Sequence, residues 1–350
     1  MKHHVTTVGI DLANKIFHLV GTDPTGKIVW RKQLTRHALL PFMAQLPPVT
    51  IGLEACCGAH YWARQLRHQG HQVKLMAPQF VKPYVKSNKN DRRDAEAIAE
   101  AVTRPTMRFV PSKDVDQQDL QARHRVRERR IGERTALINE VHGLMHEYGI
   151  VRPNGVSKFR QAVVEKLESE KDKLTALSQE MCGTLVKEFV ALEEQIASYQ
   201  EKLDTLAKTH PECQRLMTIP GIGPITATAL VAAVGDVGVL KNSRQLAAWM
   251  GLVPKQHSTG GQHHLLGISQ RGDRSLRKQL IHGARATLRG GERRTDKRRQ
   301  WIRGLLKRRG WNRTAVAVAN KHARIVWALL RRGGVYSETA RRPHRVSDQG

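Results

Sequence analysis

At 350 residues the chain is long enough for two domains and a connecting element. A formal net charge of +28 and a pI near 10.6 favour a polyanionic partner, nucleic acid first and an anionic membrane surface second. The longest apolar run, residues 225–234, is too short to span a bilayer, and Cys56, Cys57, Cys182 and Cys213 lack zinc-finger spacing.

In chain order, Met1-Lys2-His3-His4-Val5 has no signal-peptide core, so the chain reads as cytosolic and reduced. Residues 1–110 read as an α/β domain. Val8-Gly9-Ile10-Asp11-Leu12 is a β-rich apolar run with one carboxylate in its middle, costly to bury unless paired. Apolar residues resume at 16–20, a turn follows at 22–26, and Ile28-Val29-Trp30 starts a second strand. Thr35 is placed to cap a helix whose buried stripe is Ala38, Leu39, Phe42, Met43 and Leu46. Strand 49–53 leads to Glu54, a helix over 60–68 closes at Gly70, and 72–76 is a further strand. Residues 78–89 read as a basic, irregular link before a helix over 91–102.

Residues 111–210 read as a helical arm. A charged helix is broken by a loop at 149–155. Beyond it Leu185, Phe189, Leu192, Ile196, Tyr199, Leu203 and Leu206 alternate spacings of four and three, a coiled-coil seam. Such a seam serves an antiparallel hairpin or a contact between protomers, so a homo-oligomer, dimer or tetramer, is expected.

Residues 211–335 form a second, mostly helical domain, with residues 336–350 expected as a disordered tail. Ile219-Pro220-Gly221-Ile222-Gly223-Pro224 resembles a helix-hairpin-helix segment, in which Gly221 and Gly223 let backbone approach a phosphate. From Arg274 to Arg345 the chain carries 22 Lys and Arg against three acids, with Trp301, Trp311 and Trp327 interleaved, which favours nucleic-acid contact over a merely solvated face.

Four acids stand out. Asp91 and Asp94 are three residues apart and share one helix face. With Asp11 and Glu54 they form a set suited to two Mg²⁺ ions, which prefer hard oxygen ligands. Each also has a plainer explanation: Asp91 as a helix cap, Asp94 as a first-turn acid, Glu54 as a strand-end ion pair.

Asp11, Glu54, Asp91 and Asp94 in this order resemble the DEDD set of RuvC-like, ribonuclease-H-fold nucleases. Pro220-Gly221-Ile222-Gly223, Gly251-Leu252-Val253-Pro254, Ser258-Thr259-Gly260-Gly261, Gly267-Ile268-Ser269-Gln270-Arg271-Gly272-Asp273 and Leu276-Arg277 resemble the C-terminal signature of DEDD transposases of the Piv-like insertion-sequence family. Thr259 and Gln270 depart from that signature. The resemblance implies a DNA transposase or recombinase with a metal site and a serine nucleophile. It also implies donor and target DNA as substrates and a structured guide RNA encoded by the element. Ser258 is the first choice of nucleophile and Ser269, or else a helix cap, the second. Arg271, Arg274, Arg277 and Lys278 are placed for phosphates. The alternatives are a junction resolvase without a covalent step and a non-catalytic nucleic-acid-binding regulator.

Overall fold

The computed structural model describes residues 4–86, 90–151, 155–289 and 296–337. The chain divides into two compact units. One takes residues up to Gln118 together with Val234–Lys241, the other Asp119–Ala233 and the residues from Asn242 onward. The arm and the C-terminal domain expected at 111–210 and 211–335 thus fall largely in one unit.

The first unit runs β1 (Thr7–Asp11), β2 (Ile16–Thr22), β3 (Ile28–Thr35), α1 (Leu39–Met43), β4 (Thr50–Glu54), α2 (Ala59–His68), β5 (Gln72–Met76), α3 (Pro78–Val81), α4 (Asp91–Val102) and β6 (Phe109–Val110). The sheet order is β3-β2-β1-β4-β5-β6. β1, β2 and β3 pair antiparallel, β4 and β5 continue parallel to β1, and β6 closes the edge antiparallel. Alternation along the strands gives the sheet two apolar faces. Val8, Ile10, Ile51 and Leu53 meet Leu39, Met43, Trp62 and Leu66 on one face. On the other, Val20 and Met76 meet Ala95, Ile98 and Ala99 of α4.

Three expectations change. Asp11 ends β1 instead of interrupting a strand, because the chain reverses over residues 12–15 and β2 folds back on β1 with Asp11 opposite His18. Thr35 caps no helix: it ends β3 opposite Ile16, and α1 starts at Leu39 without a side-chain cap. The link after β5 begins as helix, since Pro78 at a first-turn position starts the short α3, and 3₁₀ structure follows at Lys82–Tyr84.

The chain continues through α5 (Val115–His146), α6 (Val156–Ser169), α7 (Ala176–Thr209), α8 (Pro211–Met217), α9 (Pro224–Val234), α10 (Ser243–Trp249), β7 (Pro254–Thr259), β8 (Gln262–Ile268), α11 (Arg274–Arg289) and α12 (Lys297–Arg332). The seam of α7 packs inside the chain. Phe189 and Leu192 lie among Leu137, Val141 and Met145 of α5 and Phe159 of α6, while Leu203 meets Leu120 nearer the start of α5. Late α5 against early α7, and early α5 against late α7, is an antiparallel hairpin. Arg134 of α5 donates to Glu193 of α7 at 2.7 Å. Val186 is buried and Leu185 only partly so, which moves the start of the stripe by one residue.

α12 bends at Gly310, whose φ of 71° leaves the helical range. The expected tail lies, beyond Ser337, outside the described residues, as do Glu292, Arg293 and Arg294 of the basic run.

Candidate metal centre and serine hairpin

The acidic centre follows from how closely α4 lies on the sheet. At Gly9 in β1 an added Cβ would run into the backbone of Ala95 and Ala99. At Gly52 in β4 it would meet Val102 Cβ at 2.9 Å and Ile98 Cγ2 at 3.1 Å. Two glycines inside strands, facing a helix rich in alanine, thus allow backbone to approach backbone. Asn90 caps α4, its side chain accepting from Arg92 N–H at 3.0 Å. Asp91 is therefore in the first turn rather than the cap, and Asp91 and Asp94 sit together over the end of β1.

One carboxylate oxygen from each of Asp11, Asp91 and Asp94 lies within 4.8 Å of the other two. Ile10 pairs with Leu53 in the parallel β1–β4 ladder, so Asp11 and Glu54 are the next residues along neighbouring strand ends. Glu54 stands outside the group of three, but its charge reaches Asp11. Burial, first, and then the negative charges of Asp94, Asp91 and Glu54 push the Asp11 carboxyl up to about 6, while His18 across the ladder opposes them. Asp91 is exposed and Asp11 and Asp94 are half-buried, so the centre opens to solvent. Like charges held together at a solvent-facing strand end fit a hard divalent cation, which would relieve their repulsion and take their oxygens as ligands.

The second unit presents the serine. Ser258 lies on β7, opposite His263 on β8, two residues before the turn. Gly260 (φ 55°) and Gly261 (φ 78°) make the two-residue turn, a left-handed pair that suits the twist of a hairpin. Ser258 Oγ is 3.2 Å from His263 Nδ1 and accepts from Gln256 Nε2 at 2.9 Å. Nothing in the sequence marks His263, since only the hairpin register brings it to Ser258. Both strands are exposed almost throughout, including Leu265 at 68% and Leu266 at 57%.

Ser269 is half-buried beside this hairpin, with its hydroxyl oxygen inside and without a partner among the described residues. It caps no helix, because Asp273 accepts from Leu276 N–H at 2.9 Å at the start of α11.

The four basic residues divide. Arg271 and Arg274 are exposed. Arg277 is buried, donating to Arg271 O at 2.9 Å and Met250 O at 3.3 Å, so it fastens the loop before α11 and is not offered to a phosphate. Lys278 is exposed and pairs with Glu128 at 2.6 Å. Gly221 has φ 91°, and a Cβ there would strike Gly283 O and Thr287 Oγ1 of α11. The close approach it permits is therefore to a helix of its own unit. Gly223 faces open space.

Two family models match this chain. A DEDD transposase model of the IS110 type, described as "Transposase", covers residues 8–150, and one described as "Transposase IS116/IS110/IS902 family" covers residues 213–299. A "Probable family 20 transposase" of Pseudomonas aeruginosa is 48% identical over 95% of this chain and 99% of its own length. The transposase for insertion sequence element IS1111A of Coxiella burnetii is 46% identical over 95% of this chain and 91% of its own. The transposase for insertion sequence element IS1328 of Yersinia enterocolitica is 41% identical over 96% of this chain and 99% of its own.

Proposed function

The chain belongs to the IS116/IS110/IS902 transposase family, and from that premise we propose that it cuts and rejoins DNA through Ser258 and the Asp11, Glu54, Asp91 and Asp94 centre. The observation that carries this reading is the meeting of Asp11, Asp91 and Asp94 within 4.8 Å at an open strand end. The family implies use of a divalent metal, and the all-carboxylate donor set suits Mg²⁺. The first unit is, on this reading, a RuvC-like, ribonuclease-H-like domain.

When bound, the metal ion supplies charge stabilisation at the scissile phosphate. The chain's own residues do the rest. Asp91 and Asp94, fixed on the first turn of α4, and Asp11 and Glu54, fixed at strand ends, hold the ligand oxygens on rigid elements. The Ser258 hydroxyl attacks the phosphorus. A serine O–P bond forms, and the P–O bond to one deoxyribose breaks. The hydroxyl proton passes to His263 Nδ1, in hydrogen-bond reach, and the departing deoxyribose oxygen takes up a proton from solvent. In rejoining, a deoxyribose hydroxyl attacks the phosphorus of the phosphoserine and gives its proton to solvent, a deoxyribose O–P bond forms, the serine O–P bond breaks, and the serine oxygen takes back the proton held by His263.

A structured RNA encoded by the element would choose donor and target and would use the basic surface of α11 and α12. On the same reading the protein is a homo-oligomer that works in the bacterial cytosol. No helix among the described residues is long and apolar enough to cross a membrane.

Purified protein incubated with a plasmid pair, Mg²⁺ and the element's RNA tests the whole reading. Recombinant product and a protein–DNA adduct on denaturing gels are expected from the wild type. Strand cutting with no adduct from any variant would make the chain a hydrolytic resolvase, and binding without cutting would make it a regulator.

A further inference from the structure

The second unit carries a groove of about 1070 Å³ along the C-terminal half of α12. Its surface is apolar and aromatic where Trp301, Trp327 and Tyr336 line it. Arg313, Lys321, Arg324 and Arg332 also line it, and among the described residues no Asp or Glu does. One aromatic residue is fixed by two neighbours. Arg298 donates to the Tyr336 hydroxyl at 3.0 Å, its guanidinium lies 5.4 Å from the ring centroid, and Tyr336 N–H donates to Thr218 Oγ1 at 2.9 Å. The Lys321 ammonium lies 4.4 Å from the Trp301 ring centroid. The groove also includes Pro254 and Ile268, the paired residues at the foot of the Ser258 hairpin.

We propose that this groove binds an unpaired stretch of DNA, with bases stacked on the aromatic rings and phosphates against the four cations. A duplex keeps its base faces stacked on one another, so aromatic rings inside a groove are of use only to a strand whose bases are free. Charge complementarity selects the anion, and the volume exceeds that of an ordinary site for one small ligand, about 300–1,000 Å³, so it suits more than one nucleotide. Residues 338–350, which follow Ser337 in the chain, are a poorer occupant: Arg341, Arg342 and Arg345 outnumber Glu338 and Asp348, so they bring no run of negative charge to match the four cations. The proposal rests on the reading of the chain as a DNA recombinase and extends it. Ser258 is four residues beyond Pro254, about 14 Å at the rise of a strand, so a strand in the groove lies within reach of the hairpin that carries it.

The test is fluorescence anisotropy of the full chain in chelator, where no cutting occurs. The probes are a labelled single-stranded DNA of fifteen or so nucleotides, its duplex, and RNA of the same sequence. Trp327→Ala and Tyr336→Ala should each weaken single-strand binding about tenfold or more and duplex binding less than twofold. Equal losses on both probes, or none on the single strand, would overturn the proposal. A tenfold preference of the wild type for RNA, with the same dependence on Trp327, would assign the groove to RNA instead. Should either variant melt early, photocrosslinking of wild-type protein to iodouracil-bearing single-stranded DNA decides. Adducts on peptides containing Trp327 or Tyr336 are expected, and adducts found only elsewhere would refute the site. Because the assay reads binding without metal, loss of strand cutting or of the serine adduct would overturn the recombinase reading and leave this result standing, and the reverse holds.

Discussion

Ser258 Oγ lies 3.2 Å from His263 Nδ1, on directly opposed positions of β7 and β8. The hairpin register alone sets this pair, and Gln256 donates to the same oxygen from two residues earlier on β7. A serine hydroxyl is a weak nucleophile near neutral pH, and a neighbouring imidazole is the usual remedy. His263→Ala should slow adduct formation roughly 10²-fold while leaving DNA affinity unchanged, whereas Ser258→Ala should abolish the adduct. Rapid-quench gels measure both rates. Wild-type kinetics in His263→Ala would place the base elsewhere.

At the acidic centre, Asp11→Asn removes one of the carboxylates that repel one another. The variant should lose strand cleavage and keep its fold, with a melting temperature in chelator at or above that of the wild type, since Asp94, Asp91 and Glu54 all act against ionised Asp11. Mg²⁺ should raise the melting temperature of the wild type more than that of the variant. Full cleavage by Asp11→Asn in Mg²⁺ would remove Asp11 from the centre.

Gly9→Val tests the seating of α4. The new side chain would strike Ala95 and Ala99 and lift the helix from β1, carrying Asp91 and Asp94 away from Asp11. Overpacking of this kind costs about 1–3 kcal/mol. Denaturant melts should show that loss, and Mg²⁺ affinity by calorimetry should fall even where the fold survives. Unchanged Mg²⁺ affinity in a destabilised but folded variant would mean that α4 does not supply the ligands.

Leu192→Asp with Ile196→Asp addresses the α7 seam. Both residues are buried in the single chain, so the charges enter the α5–α7 hairpin. The pair should cost several kcal/mol and lower helicity by circular dichroism. Light scattering showing a folded protein of halved mass would instead return the seam to an interface between protomers.

His322 gives a pH dependence. It is fully buried, and Arg298 Nη2 lies 2.5 Å from its Nε2. Burial, then the charges of Arg298 and Lys321, lower its pKa to about 3 from the ordinary 6.5. The unfolded chain therefore takes up the proton first as pH falls. Stability from this group is complete above about pH 6.5 and declines toward pH 3, at a limiting slope of about 1.4 kcal/mol per pH unit. His322→Gln should flatten that part of the acid limb in urea melts taken from pH 7 to 4. An unchanged slope would dissociate His322 from the acid sensitivity.

The sequence alone was enough for what depends on local pattern. Strand β5 and helix α4 follow from alternation and periodicity, and Asp91 and Asp94 share a helix face by their spacing of three, although the cap of α4 is Asn90 and not Asp91. The order of the acids and the Gly-Leu-Val-Pro and Ile-Ser segments carried the family resemblance. Tertiary structure decided what depends on partners distant in sequence. A seam of spaced apolar residues reads the same whether its partner is α5 or another protomer, and only the packing of Phe189 and Leu192 against Leu137 and Val141 chose the former. Arg277 looks like any phosphate-binding arginine until the carbonyls of Met250 and Arg271 are seen to hold it. Gly221 suits a phosphate until α11 is seen to fill the space. His263 gains a role only from hairpin register, and the acidic centre closes only because Gly9 and Gly52 let α4 settle on the sheet, a contact between residues more than forty positions apart that no local pattern encodes.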